Sequence, residues 1–318
     1  MSTSPIQMQQ QQQQQQPLLK LPPKCAVSLT YCDVGENGPG MEKLGVKTTR
    51  PLSVNDLKAM KMRFEGLEGK AEMFDLKAAM EGVNVAGKEV RDAAVLVMRG
   101  FADVVLGEGT LARIESEVQG MQQAGLTDGK ALMRGKVKNK SARHNNVVSD
   151  FEQSPDFAQG RGTVVPFANY DALREMRATA GDWMQQPSPL VAEQNRYYDV
   201  FAGGQANKGC GIGWHGDAER DLVWGLRVGE ATRAMPLMFQ AYAHHEPIGP
   251  KTTIPLAPGD VYVMSHVAVG KDWKCSSRLT WRHAAGAEAC KYSVDPHVTA
   301  EKNAQKRDRA AFEADNAV

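Results

Sequence analysis

Between Gly162 and Val294 the chain reads as a succession of short apolar segments broken by Gly, Pro and Asp. Thr163-Val164-Val165-Pro166-Phe167 comes first. Tyr197-Tyr198-Asp199-Val200, Leu222 to Val228, Pro236 to Tyr242, Val261 to Met264 and Lys291-Tyr292-Ser293-Val294 come after it. β-Branched and aromatic residues are frequent in these segments, and turn residues bound them. One helix candidate, Tyr170 to Ala180, precedes the main run, and none interrupts it. Strands that succeed one another without crossover helices pair antiparallel, so the pattern predicts a double sheet of the jelly-roll kind and not a parallel βαβ sheet.

The N-terminal part reads differently. Gln9 to Gln16 is an unbroken glutamine run, and Pro, Gly and Thr punctuate the residues from Pro17 to Pro51. Such a segment buries too little apolar surface to offset its chain entropy, so residues 1–50 are expected to be a disordered Gln/Pro-rich tail. From Ser53, with Asp56 in capping-box spacing, apolar residues recur at helical intervals. Leu57, Met60, Met62, Phe64 and Leu67 predict one helix, Ala93 to Val105 a second, and Leu111, Ile114, Val118 and Met121 a third. Residues 51–128 are therefore expected to be a helical region, 129–298 the β domain, and 299–318 a polar tail in solvated helical form. The expected fold class is α+β: a double-stranded β-helix backed by helices from the N-terminal region.

Composition narrows the function classes. Lys and Arg total 38 against 37 Asp and Glu, a net charge of +1, so any nucleic-acid contact must come from a local patch. No apolar run of about 18 residues exists, and no basic-then-apolar leader opens the chain, which predicts no membrane span and no secretion. The five cysteines are scattered without a CxxC pair, which points to a reducing, intracellular compartment, cytoplasmic or nuclear.

The chemistry gathers around Trp214-His215-Gly216-Asp217. Side chains at i and i+2 of an extended chain share a face. His215 and Asp217 on one face, joined by a second histidine from a later strand, would make the facial triad of non-haem Fe(II) oxygenases. The His-x-acid pattern alone is weak: composition predicts about 0.8 chance occurrences, and His244-His245-Glu246 is a second one. That pair runs into Pro247, Gly249 and Pro250, a turn between strands. Two histidines compete for third ligand. His266 ends the strand Val261 to Met264. His283 has Lys291 eight residues beyond it, a cation on the next strand that a dicarboxylate co-substrate needs. His283 is preferred, with His266 as the alternative.

At these residues the chain resembles the Fe(II)/2-oxoglutarate-dependent dioxygenases, their AlkB-like branch in particular. Asn195-Arg196-Tyr197 resembles that branch's Asn-x-Tyr strand, Gly213 to Glu219 its metal motif, and Pro258 to Ser265 its Gly-Asp strand. Ser277 to His283 is similar to the arginine-aromatic-histidine element, and Lys291 to Val294 to the superfamily's anchor strand. The stretch from Gly135 to Lys291 also looks like a little-characterised set of algal and large-virus oxygenases. That likeness includes Asn139 to Asn145 and the His-Gly-Asp-Ala-Glu-Arg core. The resemblance implies Fe(II) on His215, Asp217 and His283. It implies 2-oxoglutarate on Lys291, Asn195 and Tyr197, with dioxygen as second co-substrate. The product would be a hydroxylated or oxidatively demethylated substrate. This chain departs from the branch in three places: a single Lys291 replaces a paired-arginine strand, a Gly-rich loop from Ala202 to Gly213 is added, and the nucleotide-recognition lid is not recognisable. Rival readings are a catalytically silent jelly-roll binding protein and a cupin-like metal enzyme that does not use 2-oxoglutarate.

Glu219 and Arg220 are candidate substrate contacts, or simply pair with each other. Lys136, Lys138 and Lys140 alternate along an expected edge strand, with Arg143 just beyond. They either protect a sheet edge or meet phosphates; edge protection is the favoured reading, and a nucleic-acid substrate stands below even odds.

Overall fold

The computed structural model describes residues 17–38, 40–85, 87–141, 143–202, 205–206, 209–286 and 295–315. Strands β1 (Ala26–Cys32), β4 (Ala71–Asp75), β5 (Ala94–Met98), β8 (His144–Ser149), β9 (Val164–Pro166), β10 (Val191–Tyr197), β14 (Trp224–Val228) and β17 (Val261–Met264) form one large sheet. Its order is β4-β5-β17-β14-β1-β10-β8-β9, and every pair is antiparallel except β8 with β9. A second sheet, ordered β13-β18-β15-β16, is antiparallel throughout. It holds β13 (Gly211–His215), β15 (Leu237–Ala243), β16 (Glu246–Ile254) and β18 (Thr280–Gly286). Three ribbons complete the strands: β2 (Val34–Glu36) with β3 (Lys43–Gly45), β6 (Lys130–Met133) with β7 (Lys136–Asn139), and β11 (Phe201–Ala202) with β12 (Gln205–Ala206).

The helices are α1 (Val54–Glu65), α2 (Phe101–Leu106), α3 (Thr110–Gln123), α4 (Asp171–Trp183), α5 (His266–Val269) and α6 (Pro296–Asp315). Ser53 caps α1 in a full capping box with Asp56, as the spacing predicts. Leu57, Met60 and Phe64 of α1, Ile114, Val118 and Met121 of α3, and Leu173, Met176 and Trp183 of α4 bury against one face of the large sheet. An aromatic cluster fixes that contact: the Phe101 ring meets Trp183 and Trp224 edge-on at 5.0 Å each, and stacks on Phe64 at 5.5 Å. The other face packs on the smaller sheet. Tyr262 and Met264 of β17 share a second core with Leu237, Phe239 and Trp281. None of the described helices is long and apolar enough to cross a membrane.

Two expectations are corrected. The segment read as a tail contains β1, which hydrogen-bonds β10 on one edge and β14 on the other, with all seven residues buried. Val27, Leu29 and Tyr31 face the helices, while Ser28 and Thr30 face the other way. Val27-Ser28-Leu29-Thr30-Tyr31 does alternate as a strand should, but composition set the expectation for the whole segment behind the polyglutamine run, which itself lies outside the described residues. The region read as helical, 51–128, is mixed. Ala94 to Met98 is strand β5, with a turn at Gly100 and then the short helix α2. Ala94, Leu96 and Met98 enter one core, and Val95 and Val97 the other. A run buried on both faces has no periodicity to distinguish strand from helix. The C-terminal helix is also longer than expected, beginning at Pro296 rather than Ala300.

A chain starting at Val34 lacks the strand that joins β10 to β14. It is expected to show no cooperative thermal unfolding transition by circular dichroism, where removal of a tail would leave the melting curve unchanged.

Candidate metal centre

The pairing of β13 with β18 sets Gly211 opposite Gly286 and Ile212 opposite Ala285, and then His215 opposite His283. Regular pairing would bring Trp214 opposite His283. An extra residue in β13 between Ile212 and His215 shifts the register by one and turns the His215 side chain to the face that holds His283. The two imidazoles then lie 4.4 Å apart, centroid to centroid.

Asp217 completes the group. The peptide N–H of Asp217 donates to Val269 O at 3.0 Å, and Gly216 passes so close to α5 that a Cβ there would lie 2.0 Å from Gly270 O. Only glycine lets the chain fold back tightly enough to bring Asp217 beside the histidines. Asp217 Oδ1 is 3.4 Å from His215 Nε2 and 3.7 Å from His283 Nε2. One ligand atom from each of the three residues lies within 4.8 Å of the others. His215 Nδ1 sits 2.7 Å from Gly213 O. Donation of that N–H to the carbonyl leaves the Nε2 lone pair facing the group, the tautomer a metal requires. His283 Nδ1 is buried without a hydrogen-bond partner. Burial, and next the neighbouring His215, push the His283 imidazolium pKa down, so this ring is held neutral. Burial alone would raise the Asp217 carboxyl, but the Arg220 guanidinium outweighs it and holds the group well below the usual carboxylate range. Two imidazoles and an ionised carboxylate are a donor set that fits a divalent iron.

Arg220 is the neighbour that charges this corner. It is 4% exposed. Its Nε lies 3.7 Å from Asp217 Oδ2, and its Nη2 is 2.5 Å from Glu193 Oε2 and 2.7 Å from Glu219 Oε1. Glu219 and Arg220 do pair with each other, but in the interior and not in solvent. Glu193 passes the network on: its Oε1 accepts from Asn195 Nδ2 at 3.0 Å. Asn195 Oδ1 in turn accepts from Arg143 Nε at 2.6 Å and from Asn145 Nδ2. Tyr197, buried two residues along the same face, packs with Ala26, Val200 and Cys210.

The remaining candidates are placed apart. His266 begins α5, with Nδ1 3.3 Å from Asp221, an acid already paired with Lys47 and Lys271; it is not part of the three-residue group. Lys291 lies outside the described residues. Lys136 and Lys138 are exposed on the β6–β7 ribbon, but Lys140 lies beyond β7 and turns inward. Its Nζ is buried without a partner, and burial pushes its pKa down to about 8. The expected row of three aligned lysines is therefore two exposed and one inward. His244 and His245 form the β15–β16 turn with positive φ, but Pro247, Gly249 and Pro250, expected in that turn, lie within β16. Among the described residues, Cys25, Cys32, Cys210 and Cys275 form no disulfide. Sequence reasoning missed Glu193 and Arg227. Arg227 is a lone charge in an apolar strand, which was an available signal; Glu193 shares β10 with Gln194, Asn195 and Arg196 and gave none.

Two measurements check this geometry. Anaerobic Fe(II) titration should show His283→Ala losing well over tenfold in affinity while His266→Ala binds like the parent. Gly216→Ala should also lose more than tenfold, because the added methyl pushes Asp217 away from the histidines. Its melting temperature should stay near the parent's, since the loop and not the core moves.

No family model matches the chain. It is 35% identical over 266 residues, 83% of this chain and 97% of the relative, to a protein of Acanthamoeba polyphaga mimivirus described as "Uncharacterized protein R156". A match of that length exceeds the β domain, so the likeness extends into the N-terminal region that supplies the helices. The chain belongs to the family of this uncharacterised mimivirus protein.

Proposed function

We propose that the protein is an Fe(II)- and 2-oxoglutarate-dependent oxygenase with a double-stranded β-helix core, acting on a C–H bond of a substrate still to be identified. The observation that carries the proposal is the convergence of His215, Asp217 and His283, with His215 turned for metal by Gly213 O. Two imidazoles and one carboxylate leave half of an octahedral iron open for co-substrates. A cupin-like site with a fourth histidine is disfavoured, since no other described histidine joins the group.

The strand arrangement supports the jelly-roll reading. Successive strands β10, β13, β14 and β15 alternate between the large and the small sheet, and so do β16, β17 and β18 in the reverse sense. An eighth strand is then due in the large sheet, and the position between β10 and β14 is held by β1. In this reading the N-terminal strand closes the double sheet.

In the bound state the iron supplies the two-electron oxidation of the C–H bond at the expense of 2-oxoglutarate and dioxygen. Demethylation results where the oxidised carbon sits on nitrogen. The protein's contribution is geometric and electrostatic. Arg220 keeps Asp217 ionised, and Glu193 balances Arg220, so an anionic ligand is presented without a net buried charge from that pair. Removing one member of such a pair costs about 3–5 kcal/mol. Asn195, held by Glu193, Asn145 and Arg143, lines the approach from β10. Arg143 and Lys140 place positive charge beside it.

Oxygen consumption tests the proposal. The iron-loaded protein should consume dioxygen only when 2-oxoglutarate is present, releasing succinate, and Asp217→Ala should reduce this by more than about a hundredfold. Uptake that is iron-dependent but indifferent to 2-oxoglutarate would favour the cupin-like reading. Absence of uptake alongside tight binding of a metabolite would favour a silent binding protein.

A further inference from the structure

Arg227 sits near the end of β14 and is 1% exposed. Trp224, Leu226 and Val228 of the same strand face the helices, so Arg227 faces the space between the sheets. Across the neighbouring strands its row continues with Ser28, Asn195 and Asn145, an unbroken polar line through a sheet whose opposite face is apolar. Tyr262 of β17 lies beside it. The pairing sets Tyr262 opposite Gly225, where a Cβ would come within 2.0 Å of the ring, so glycine is what lets this ring lie across β14. Arg227 Cζ is 5.5 Å from the Tyr262 ring centroid, and the Tyr262 hydroxyl is 3.2 Å from Ser28 Oγ.

Among the described residues, nothing neutralises Arg227. Its Nε and Nη1 are buried and make no hydrogen bond, and no described carboxylate stands against it. Arg220, equally buried, has Glu193, Glu219 and Asp217 around it. A fully buried guanidinium without an anion is among the least favourable arrangements a fold can hold. It becomes favourable when a ligand brings the anion, and a guanidinium aimed between hydroxyls suits a carboxylate.

We propose that Arg227 anchors the distal carboxylate of the 2-oxo acid co-substrate, with Ser28 and Tyr262 beside it, in place of the Lys291 that the family likeness suggests. This rests on the oxygenase reading above. The anchor then comes from a strand that precedes the last metal ligand, and the N-terminal strand β1 forms part of its wall.

The test is calorimetric titration of the Mn(II)-loaded full chain with 2-oxoglutarate and with 2-oxobutyrate, which keeps the 2-oxo acid end and lacks the distal carboxylate. For Arg227→Met, affinity for 2-oxoglutarate should fall by about tenfold to a hundredfold, the loss expected for hydrogen bonds to a charged group. Affinity for 2-oxobutyrate should be weak and equal in parent and variant, and Lys291→Met should bind 2-oxoglutarate within about threefold of the parent. Melting temperature supplies a readout of opposite sign for a structural role. With its charge unpaired in the free protein, Arg227→Met should melt higher than the parent without ligand. 2-Oxoglutarate at about ten times the parent's Kd should then raise the melting temperature of the parent clearly more than that of the variant. If Arg227→Met binds 2-oxoglutarate as the parent does, or Lys291→Met loses binding instead, the anchor assignment is overturned and the oxygenase reading stands. If the parent takes up Mn(II) but no 2-oxoglutarate, both fall. Should Arg227→Met fail to fold, Arg227→Lys decides: a smaller preference for 2-oxoglutarate over 2-oxobutyrate supports the anchor, and an unchanged preference overturns it.

Discussion

Insertion of β1 between β10 and β14 is the constraint on which the rest of the molecule depends. Both of its edges are hydrogen-bonded, and both of its faces are covered. Its apolar side chains hold the helices, and its polar ones line the space between the sheets. The residue just after it fixes the loop that carries His215 and Asp217: Asp33 accepts from the Asp221 and Leu222 amides at 3.0 and 3.1 Å, just beyond the segment from His215 to Arg220. Cys32 Sγ lies 3.5 Å from Arg220 Nη1. A strand from the N-terminal region thus braces a three-residue group whose members all come from the C-terminal half. Long-range pairing of this kind carries a high loop-closure cost, which the burial of a whole strand offsets.

The centre itself depends on local irregularities. A bulge in β13 turns His215 toward His283, and a glycine lets Asp217 double back beneath α5. Neither feature stabilises a sheet, since a bulge interrupts the ladder and glycine loses more backbone entropy on folding than any other residue. Their value lies in aiming three donors at one point. The surrounding charges obey the same logic. The interior holds Arg220, Glu193, Asp217, Asn195 and Arg227, where burying apolar residues would be more favourable. Polar groups that a fold could do without, gathered on one inner face beside a donor triad, mark that face as the working one.

The basic ribbon β6–β7 stands outside this interior. Lys136 and Lys138 project into solvent, and Val137 is exposed on the other face of β7, so the ribbon is held to the body through Ala131 of β6, which is fully buried. Lys140 and Arg143 continue the same chain inward to Glu193 and Asn195. The ribbon and the polar interior are therefore joined along one stretch of backbone, which places the positive charge of this region at the approach to the centre from β10.

Much of the β half was legible in the sequence. Short strands with Gly, Pro and Asp turns announced themselves by composition at β9, β14, β15 and β17, as did the His244-His245 turn and the Ser53 cap. His215 and Asp217 were legible because their spacing is a local property. His283 was preferred over His266 for the cation Lys291 beyond it, and it is the register of β13 with β18 that brings His283 beside His215. Three things were beyond the sequence. β5 is short and apolar on both faces, so it carries no alternation to read, while the Val-Ser-Leu-Thr-Tyr alternation of β1 is one brief signal inside a segment whose composition reads as a tail. Lys140 parts from Lys136 and Lys138 because β7 ends before it. Arg227 looked like one arginine among many until its row, its burial and its lack of an anion could be seen together. Local pattern determines which segments are strands and which residues can bind metal. Only the tertiary structure decides which segments become neighbours, because that choice depends on burial summed over the whole chain and not on any window of it.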